Sequence, residues 1–432
     1  MKKWWYAPVL LTAACAFAAE GPVPTGIPHL DHVWVIMMEN HGYSQVVGNP
    51  NMPFFNDLIG VTNSSTNYFA VGHPSLTNYL EVVGGSNFGV QSDNNPDWHN
   101  YSCAPNLASA TANTDNPASP NICPITGTGT DAATPAIDTT NETTGPPGEN
   151  NLDGKISIPA AANTVGKTIA DQLAEVGLSW KSYQESLPPT GADNVNTSDG
   201  FFSNLTDFTN MKPALSPALT SSNIVSLYAS KHNPFVYFGS VQEGVQYGSD
   251  LTNTVGFDGA HGLYADLQSG SVPNYSFVVP NQCNDQHGRG NGTAFCNFDP
   301  NDNGTQAGLN PALMQMGDMT LRKLMTAIKG SPAWRQGQNA IVILWDENDY
   351  SIAPSVNKVP FVVDTNYGTH GVVSNTFYTH FSLLRSIEAG MGLPCLNHAC
   401  DSTTAVMSDL FGVTFPSTTS QVSSAATLER GR

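Results

Sequence analysis

Positive charge is what this chain has least of. Lys and Arg together number 16 in 432 residues, against 35 Asp and Glu, for a formal net charge of −19. A nucleic-acid binder needs a basic excess to displace counterions from phosphates, and none exists here. The same deficit excludes an electrostatic grip on anionic lipid. Charge of either sign is scarce, at 12% of residues, where about 25% is usual. The surface must therefore be built from Asn, Thr, Ser, Gly and Pro. No internal repeat is visible, and no Cys-x-x-Cys spacing that would announce a structural zinc site. Past the first 20 residues no apolar run is long enough to cross a bilayer. Hydrophobic residues still make up 40%, which excludes wholesale disorder and leaves ample material for a large core.

The chain opens on Met1-Lys2-Lys3, a nearly unbroken apolar stretch from Trp4 to Phe17, and the small-x-small triplet Ala16-Phe17-Ala18. That pattern predicts a signal peptide over 1–19 and a secreted or periplasmic protein with no stable membrane anchor. Cys15 would leave with it. Six cysteines remain, in three local couples: Cys103 with Cys123, Cys283 with Cys296, Cys395 with Cys400. An even number in an exported chain predicts disulfides, and the local couples are the favoured pairing. Residues 20–413 read as one domain. A stretch at about 104–165, rich in Ala, Thr, Asn, Pro and Gly, reads as a surface insertion, and 414–432 as a flexible tail.

Apolar runs at Val33–Met38, Tyr275–Val279 and Ala340–Trp345 are continuous rather than alternating, as strands covered on both faces must be. Phe235–Phe238 and Phe361–Val363 read as shorter strands. Helical periodicity runs over Thr168–Val176, over 310–330 after an Asn310-Pro311 start, and over Thr376–Glu388. Strands alternating with helices predict an α/β fold, a central, mostly parallel sheet flanked by helices.

Two of these strands run into acidic groups, Glu39-Asn40-His41 and Asp346-Glu347-Asn348-Asp349. Ligands in parallel sheets bind beyond the carboxyl ends of strands. Carboxylates brought together there repel unless a cation neutralises them, and all-oxygen ligands suit a hard or borderline divalent ion. One such pair alone is an ordinary acidic loop. The two together predict one divalent metal ion. His73, in His73-Pro74-Ser75-Leu76-Thr77-Asn78-Tyr79, and His287, in Asn284-Asp285-Gln286-His287, are further candidates, since a histidine beside a metal can hold a substrate oxygen or protonate a leaving group. His370 and His380 come later in the chain, the latter inside a helical pattern where a structural role serves equally well. Thr168 opens a helix. It is a good N-cap, and it is also placed to attack a phosphate cradled by the helix N-terminus, with Ser75 the next candidate nucleophile. Two apparent motifs fail on inspection. Gly166-Lys167-Thr168 lacks the leading glycine of a phosphate loop, since Ala161 stands there. Asp299–Gly304 begins like a calcium loop but carries Asn310 where glutamate is needed.

Met38-Glu39-Asn40-His41, the His73–Tyr79 segment, Trp345-Asp346-Glu347-Asn348-Asp349 and Thr379-His380-Phe381-Ser382-Leu383-Leu384-Arg385 occur in this order. Together they resemble the bacterial and fungal phosphoesterase family of secreted acid phosphatases and phospholipases C, within the alkaline phosphatase superfamily. The resemblance spans roughly residues 30–390, without the insertion. It implies an alkaline-phosphatase-like α/β sandwich and one catalytic metal ion held by Glu39, Asn40, Thr168, Asp346 and Glu347. It implies Thr168 as nucleophile, forming a covalent phosphothreonine, because Thr168 opens a helix shortly before Gly177-Leu178-Ser179-Trp180. It places His73, His287 and His380 at the substrate, with His287 protonating the leaving oxygen. The Asp285-Gln286-His287 order departs from the adjacent Asp-His of the phospholipases, which leaves the role of Asp285 open. The expectation is an acid phosphatase acting on small phosphomonoesters. The phospholipases resembled usually carry further C-terminal domains, which makes a phosphodiesterase the alternative, and a non-catalytic metal-stabilised binding protein the alternative of another class.

Overall fold

The computed structural model describes residues 20–90, 92–100, 102–103, 121–129, 163–199, 226–244, 251–289, 296–301, 304–348 and 357–413. The expected signal peptide over 1–19, most of the expected insertion at 104–165, Asp349 and the expected tail at 414–432 lie outside these residues.

Eight strands form one sheet. They are β1 (His32–Met38), β2 (Asn63–Ser65), β3 (Trp180–Gln184), β4 (Thr254–Val255), β5 (Tyr275–Val279), β6 (Asn339–Trp345), β7 (Phe361–Thr365) and β8 (Val373–Ser374), in the spatial order β8-β2-β7-β6-β1-β5-β3-β4. From β6 across to β4 every pairing is parallel. The short strand β7 runs antiparallel to both β6 and β2, while β8 is parallel to β2. The expected mostly parallel α/β architecture is what the chain adopts. The three continuous apolar runs occupy the sheet centre as β1, β5 and β6, and every residue from Val33 to Met38 is buried. Two-sided coverage explains why those runs do not alternate.

The helices of the described residues include α1 (Pro53–Ile59), α2 (Ser75–Gly84), α3 (Ile169–Glu175), α4 (Pro311–Gly330) and α5 (His380–Met391). Asn310 caps α4 by accepting a hydrogen bond from the Ala312 amide, with Pro311 as its first residue. Helix α5 starts later than its periodicity suggests. Tyr378–Thr379 pairs in parallel with Tyr68–Phe69, and Thr379 becomes the N-cap.

One strand expectation is corrected. Phe235–Phe238 does not form a strand of the sheet: Pro234–Tyr237 is a 3-10 turn that leads into a short helix, Gly239–Glu243. Pro234 fixes φ and has no amide for a ladder, so the run coils. Its four apolar side chains are buried all the same, which is the condition under which periodicity cannot tell strand from helix. The three expected disulfides are present, Cys103–Cys123, Cys283–Cys296 and Cys395–Cys400. Among the described residues, no helix is long and apolar enough to cross a membrane.

Candidate active site

Strands β1 and β6 are paired up to Met38 opposite Trp345. The next residues, Glu39 and Asp346, therefore leave the sheet side by side at its carboxyl end. Asn40 takes a left-handed backbone conformation (φ 52°), which asparagine tolerates better than most residues. That turn lets its amide donate to Asp346 Oδ1 at 3.0 Å. Asn40 Oδ1 and Asp346 Oδ2 are buried and receive no hydrogen bond from the described residues. Behind them, His380 donates from Nε2 to the Asp346 carbonyl (2.7 Å) and accepts at Nδ1 from the Tyr68 hydroxyl (2.8 Å). His380 thus holds the backbone of Asp346 from the first residue of α5.

Helix α2 supplies the next layer. Ser75, Asn78 and Tyr79 lie three and four residues apart and share one face. Ser75 Oγ sits 3.3 Å from Glu39 Oε2 and 3.1 Å from Glu347 Oε1. Asn78 donates to Glu347 Oε2 (3.1 Å), and the Tyr79 hydroxyl donates to Glu39 Oε1 (2.5 Å). His73 Nδ1 lies 2.6 Å from Glu347 Oε2. The His73–Tyr79 motif is therefore a single polar face turned onto two carboxylates.

A third arc closes the site. His232 comes from the turn Ser230–His232. Its Nε2 lies 3.0 Å from Glu39 Oε1 and its Nδ1 3.5 Å from Asp285 Oδ2, while the ring stacks on Tyr79. The His287 amide donates to Asp285 Oδ1 (2.7 Å), and its Nδ1 donates to the Gly288 carbonyl (2.9 Å). The Nε2 lone pair of His287 then accepts from Lys231 Nζ at 3.2 Å. Between Asp285 and His287, Gln286 adopts φ 83°, takes the Trp345 indole N–H on Oε1 (3.0 Å) and donates to the Met314 carbonyl (3.1 Å). It fits because α4 carries Gly317 beside it: a Cβ there would stand 2.4 Å from the Gln286 side chain.

The electrostatics ask for a cation. Burial, then the charge of Asp346 and Asp285, hold the Glu39 carboxyl well above the usual range. Burial raises Asp285 likewise, and burial with the Glu347 charge pushes Asp346 up to about 8. Burial pushes the histidines the other way: His232 falls well below its usual value, His287 to about 3 and His380 to about 4. Neutral imidazoles offer lone pairs, and converging carboxylates without donors need neutralising. The donor set fits a divalent ion. Glu39, His232 and His287 present ligand atoms within 4.8 Å of one another. On its other side Glu39 meets Asp346 and Asn40, whose unpaired buried oxygens are the observation that carries this fit.

Of the residues singled out from sequence, Glu39, Asn40, Asp346, Glu347, His73 and His287 are gathered here, with His380 one step behind. Thr168 is not. It caps α3, where its Oγ accepts from the Ala170 amide (3.2 Å) and donates to Asp171 Oδ2 (3.0 Å). It sits at the far end of α2, where Lys167 O lies against Gly84. Ser75 and Gly84 are the two ends of a ten-residue helix, about 13 Å apart at 1.5 Å per residue. Ser75 takes the position among the carboxylates. His370 is exposed, and His41 is engaged with Asp299 at 2.9 Å. Sequence reasoning passed over Lys231, His232 and Asp93. Lys231-His232 immediately precedes the run expected to be a strand, and a polar pair entering an apolar run was the available signal. For Asp93 there was none. A cavity of about 900 Å³ between α1 and α4, lined by Pro53, Met319 and Arg322 among others, contains none of these groups.

Residues 53–296 match the phosphoesterase family. A phosphate-repressible acid phosphatase of Penicillium chrysogenum is 24% identical over 334 residues, covering 77% of this chain and 52% of that one. An acid phosphatase of Aspergillus fumigatus is 22% identical, covering 84% and 55%. A phosphatidylinositol-3-phosphatase of Mycobacterium tuberculosis is 22% identical, covering 91% and 89%. The chain thus spans about half the length of these fungal relatives. Among solved structures, a member of the alkaline phosphatase superfamily from Vibrio parahaemolyticus aligns with TM-score 0.42 and 10% identity, over 89% of this chain and 72% of that one.

Proposed function

The chain belongs to the phosphoesterase family, and from that premise we propose that it is an exported, metal-dependent acid phosphatase that hydrolyses phosphomonoesters through a covalent phosphoserine at Ser75. The observation that carries this reading is the place of Ser75 Oγ, within 3.3 Å of both Glu39 and Glu347 at the start of a helix. Thr168, the nucleophile implied by resemblance, has its hydroxyl engaged in a cap. The names of the fungal relatives and of the mycobacterial relative of similar length, all phosphatases, support a monoester substrate. Three disulfides support export.

Glu39, Asn40 and Asp346, with Glu347 on one flank and His232 on the other, would hold a single divalent ion, while His287 keeps its one lone pair for Lys231. Such an ion supplies charge neutralisation for the phosphoryl oxygens and lowers the pKa of a nearby hydroxyl. Ser75 gives its proton to the carboxylates it touches, and its oxygen bonds to phosphorus as the ester P–O bond breaks. The departing oxygen takes a proton from the Lys231–His287 pair, in which the proton resides on Lys231 Nζ. Water then attacks phosphorus and passes a proton to Lys231, which restores the ammonium, as the Ser75–phosphorus bond breaks; Ser75 takes its own proton back from the carboxylates and inorganic phosphate leaves. His73 and Asn78 keep Glu347 oriented, and His380 does the same for Asp346.

The test is phosphate release from an aryl phosphomonoester and from the matching diester, with and without prior chelation. Release from the monoester that chelation abolishes and added divalent ion restores is the expected result. Preference for the diester would favour the phospholipase-type alternative, and no release from either would leave a binding protein.

A further inference from the structure

The site is heavily anionic: Glu39, Asp285, Asp346 and Glu347 are all at most 1% exposed. Against them stands Lys231. Its ammonium is close enough to act on Glu39, Asp285 and Glu347, and it contacts His287 Nε2 directly. It is held on its other side by Asp93 Oδ2 at 2.8 Å. The second oxygen of that carboxylate, Asp93 Oδ1, accepts from the amide of Leu76 at 3.1 Å, the residue after Ser75. Asp93 therefore clips Lys231 to the first turn of α2. The Lys231 side chain is 17% exposed, unlike the enclosed carboxylates.

We propose that Lys231, clipped by Asp93 to the first turn of α2, is the residue that selects phosphomonoesters over phosphodiesters. This rests on the reading of the site as a phosphoesterase. A monoester brings two negative charges, or nearly two, where a diester brings one. A divalent ion among four carboxylates leaves no positive charge to spare for the second. A fixed ammonium beside Ser75 meets that charge, and inside a low-dielectric site such a contact favours the more highly charged substrate strongly. Asp93 is a positioning residue: it sets where the ammonium points and satisfies the Leu76 amide while doing so.

The experiment compares nitrophenyl phosphate with its methyl diester. Both release the same nitrophenolate, so no proton is needed on the leaving oxygen and the proton-donating role of Lys231 drops out. The ratio of kcat/KM for monoester to diester is measured in wild type, Lys231→Gln, Lys231→Arg and Asp93→Asn, with inhibition by inorganic phosphate alongside. In Lys231→Gln the ratio is expected to fall at least tenfold and the phosphate inhibition constant to rise by a similar factor (about 1.4 kcal/mol per tenfold). Lys231→Arg should keep most of the preference, and Asp93→Asn should lose part of it. A ratio within twofold of wild type in Lys231→Gln, at unchanged metal content and circular dichroism, overturns the proposal. Should Lys231→Gln fail to fold, Asp93→Asn decides by the same ratio. If wild type turns over neither ester, the phosphoesterase reading has failed. Phosphate binding by calorimetry then tests Lys231 separately, and equal affinity in wild type and Lys231→Gln overturns the assignment.

Discussion

Helices α2 and α3 each begin at a hydroxyl, and they do different things with it. At the head of α3, Thr168 commits its oxygen to local bonds, accepting from Ala170 and donating to Asp171 in a capping box. At the head of α2, Ser75 has no capping task, since Pro74 occupies the N-cap position, and its oxygen faces two carboxylates contributed by other parts of the chain. A hydroxyl committed to its own helix is a stability element. One presented to groups from distant strands is available for chemistry.

Substitution is the sharpest way to break this contrast. Ser75→Ala is expected to lose at least about a thousandfold in turnover, because no other oxygen there can form the ester. Thr168→Ala should stay within a few-fold of wild type. Steady-state kinetics on an aryl phosphate decides, and the reverse pattern would return the nucleophile to Thr168.

Removing the ion tests the carboxylate side. Asp346→Asn and Glu39→Ala should each lower bound metal by elemental analysis, by a factor of ten or more on the scale that losing a first ligand implies. Wild-type content in both would dissolve the proposed centre. The metal-free protein should also respond to pH in a set direction. The Asp346 carboxyl is raised in the fold to about 8 from an ordinary value near 4. The folded state then binds more protons than the unfolded one across that interval. Stability should be highest at the acid end and fall as pH rises from about 4 to about 8. Thermal melts after chelation should show that slope, and added divalent ion should flatten it.

Smaller effects belong to the caps and the periphery. Thr168→Ala should cost about 1 kcal/mol of stability, and Thr168→Ser almost nothing, read from denaturant midpoints. His99 bridges Asp193 and Glu243 at 2.7 and 2.6 Å, and those hydrogen bonds raise its pKa. Its contribution is present below pH ~6.5 and is lost as pH rises through the raised value. The pair is partly exposed, so the effect is small. His99→Gln should remove a shallow decline in melting temperature above pH ~6.5.

Much of this was legible in the residues themselves. Strands β1 and β6 announce themselves because burial on both faces leaves only apolar side chains, and the residues after each must then emerge at the sheet's carboxyl end. The His73–Tyr79 face is readable because residues three and four apart share a helix side. The local cysteine couples pair as their spacing suggests. What stayed hidden depended on long-range placement. Thr168 and Ser75 carry the same local signal, a hydroxyl at a helix start, and only the placement of the head of α2 beside Glu39 and Glu347, just beyond β1 and β6, separates them. His232 reaches Glu39 across 193 positions of sequence, and no periodicity encodes that. Phe235–Phe238 misleads because an apolar run buried all round has no face to reveal its period.

Gly317 has a consequence for anyone improving this protein. Exchanging glycine for alanine in the middle of a long helix is a routine gain of roughly 1 kcal/mol. At this position no such gain is expected. The methyl group would need the space that Gln286 fills, and Gln286 is buried, bonded to Trp345 and Met314, and sets the spacing between Asp285 and His287. A screen for melting and a screen for turnover should both reject the change. The notch in α4 is thus a point where selection for robustness and selection for catalysis ask for the same residue, on a helix that itself supplies no residue to the reaction.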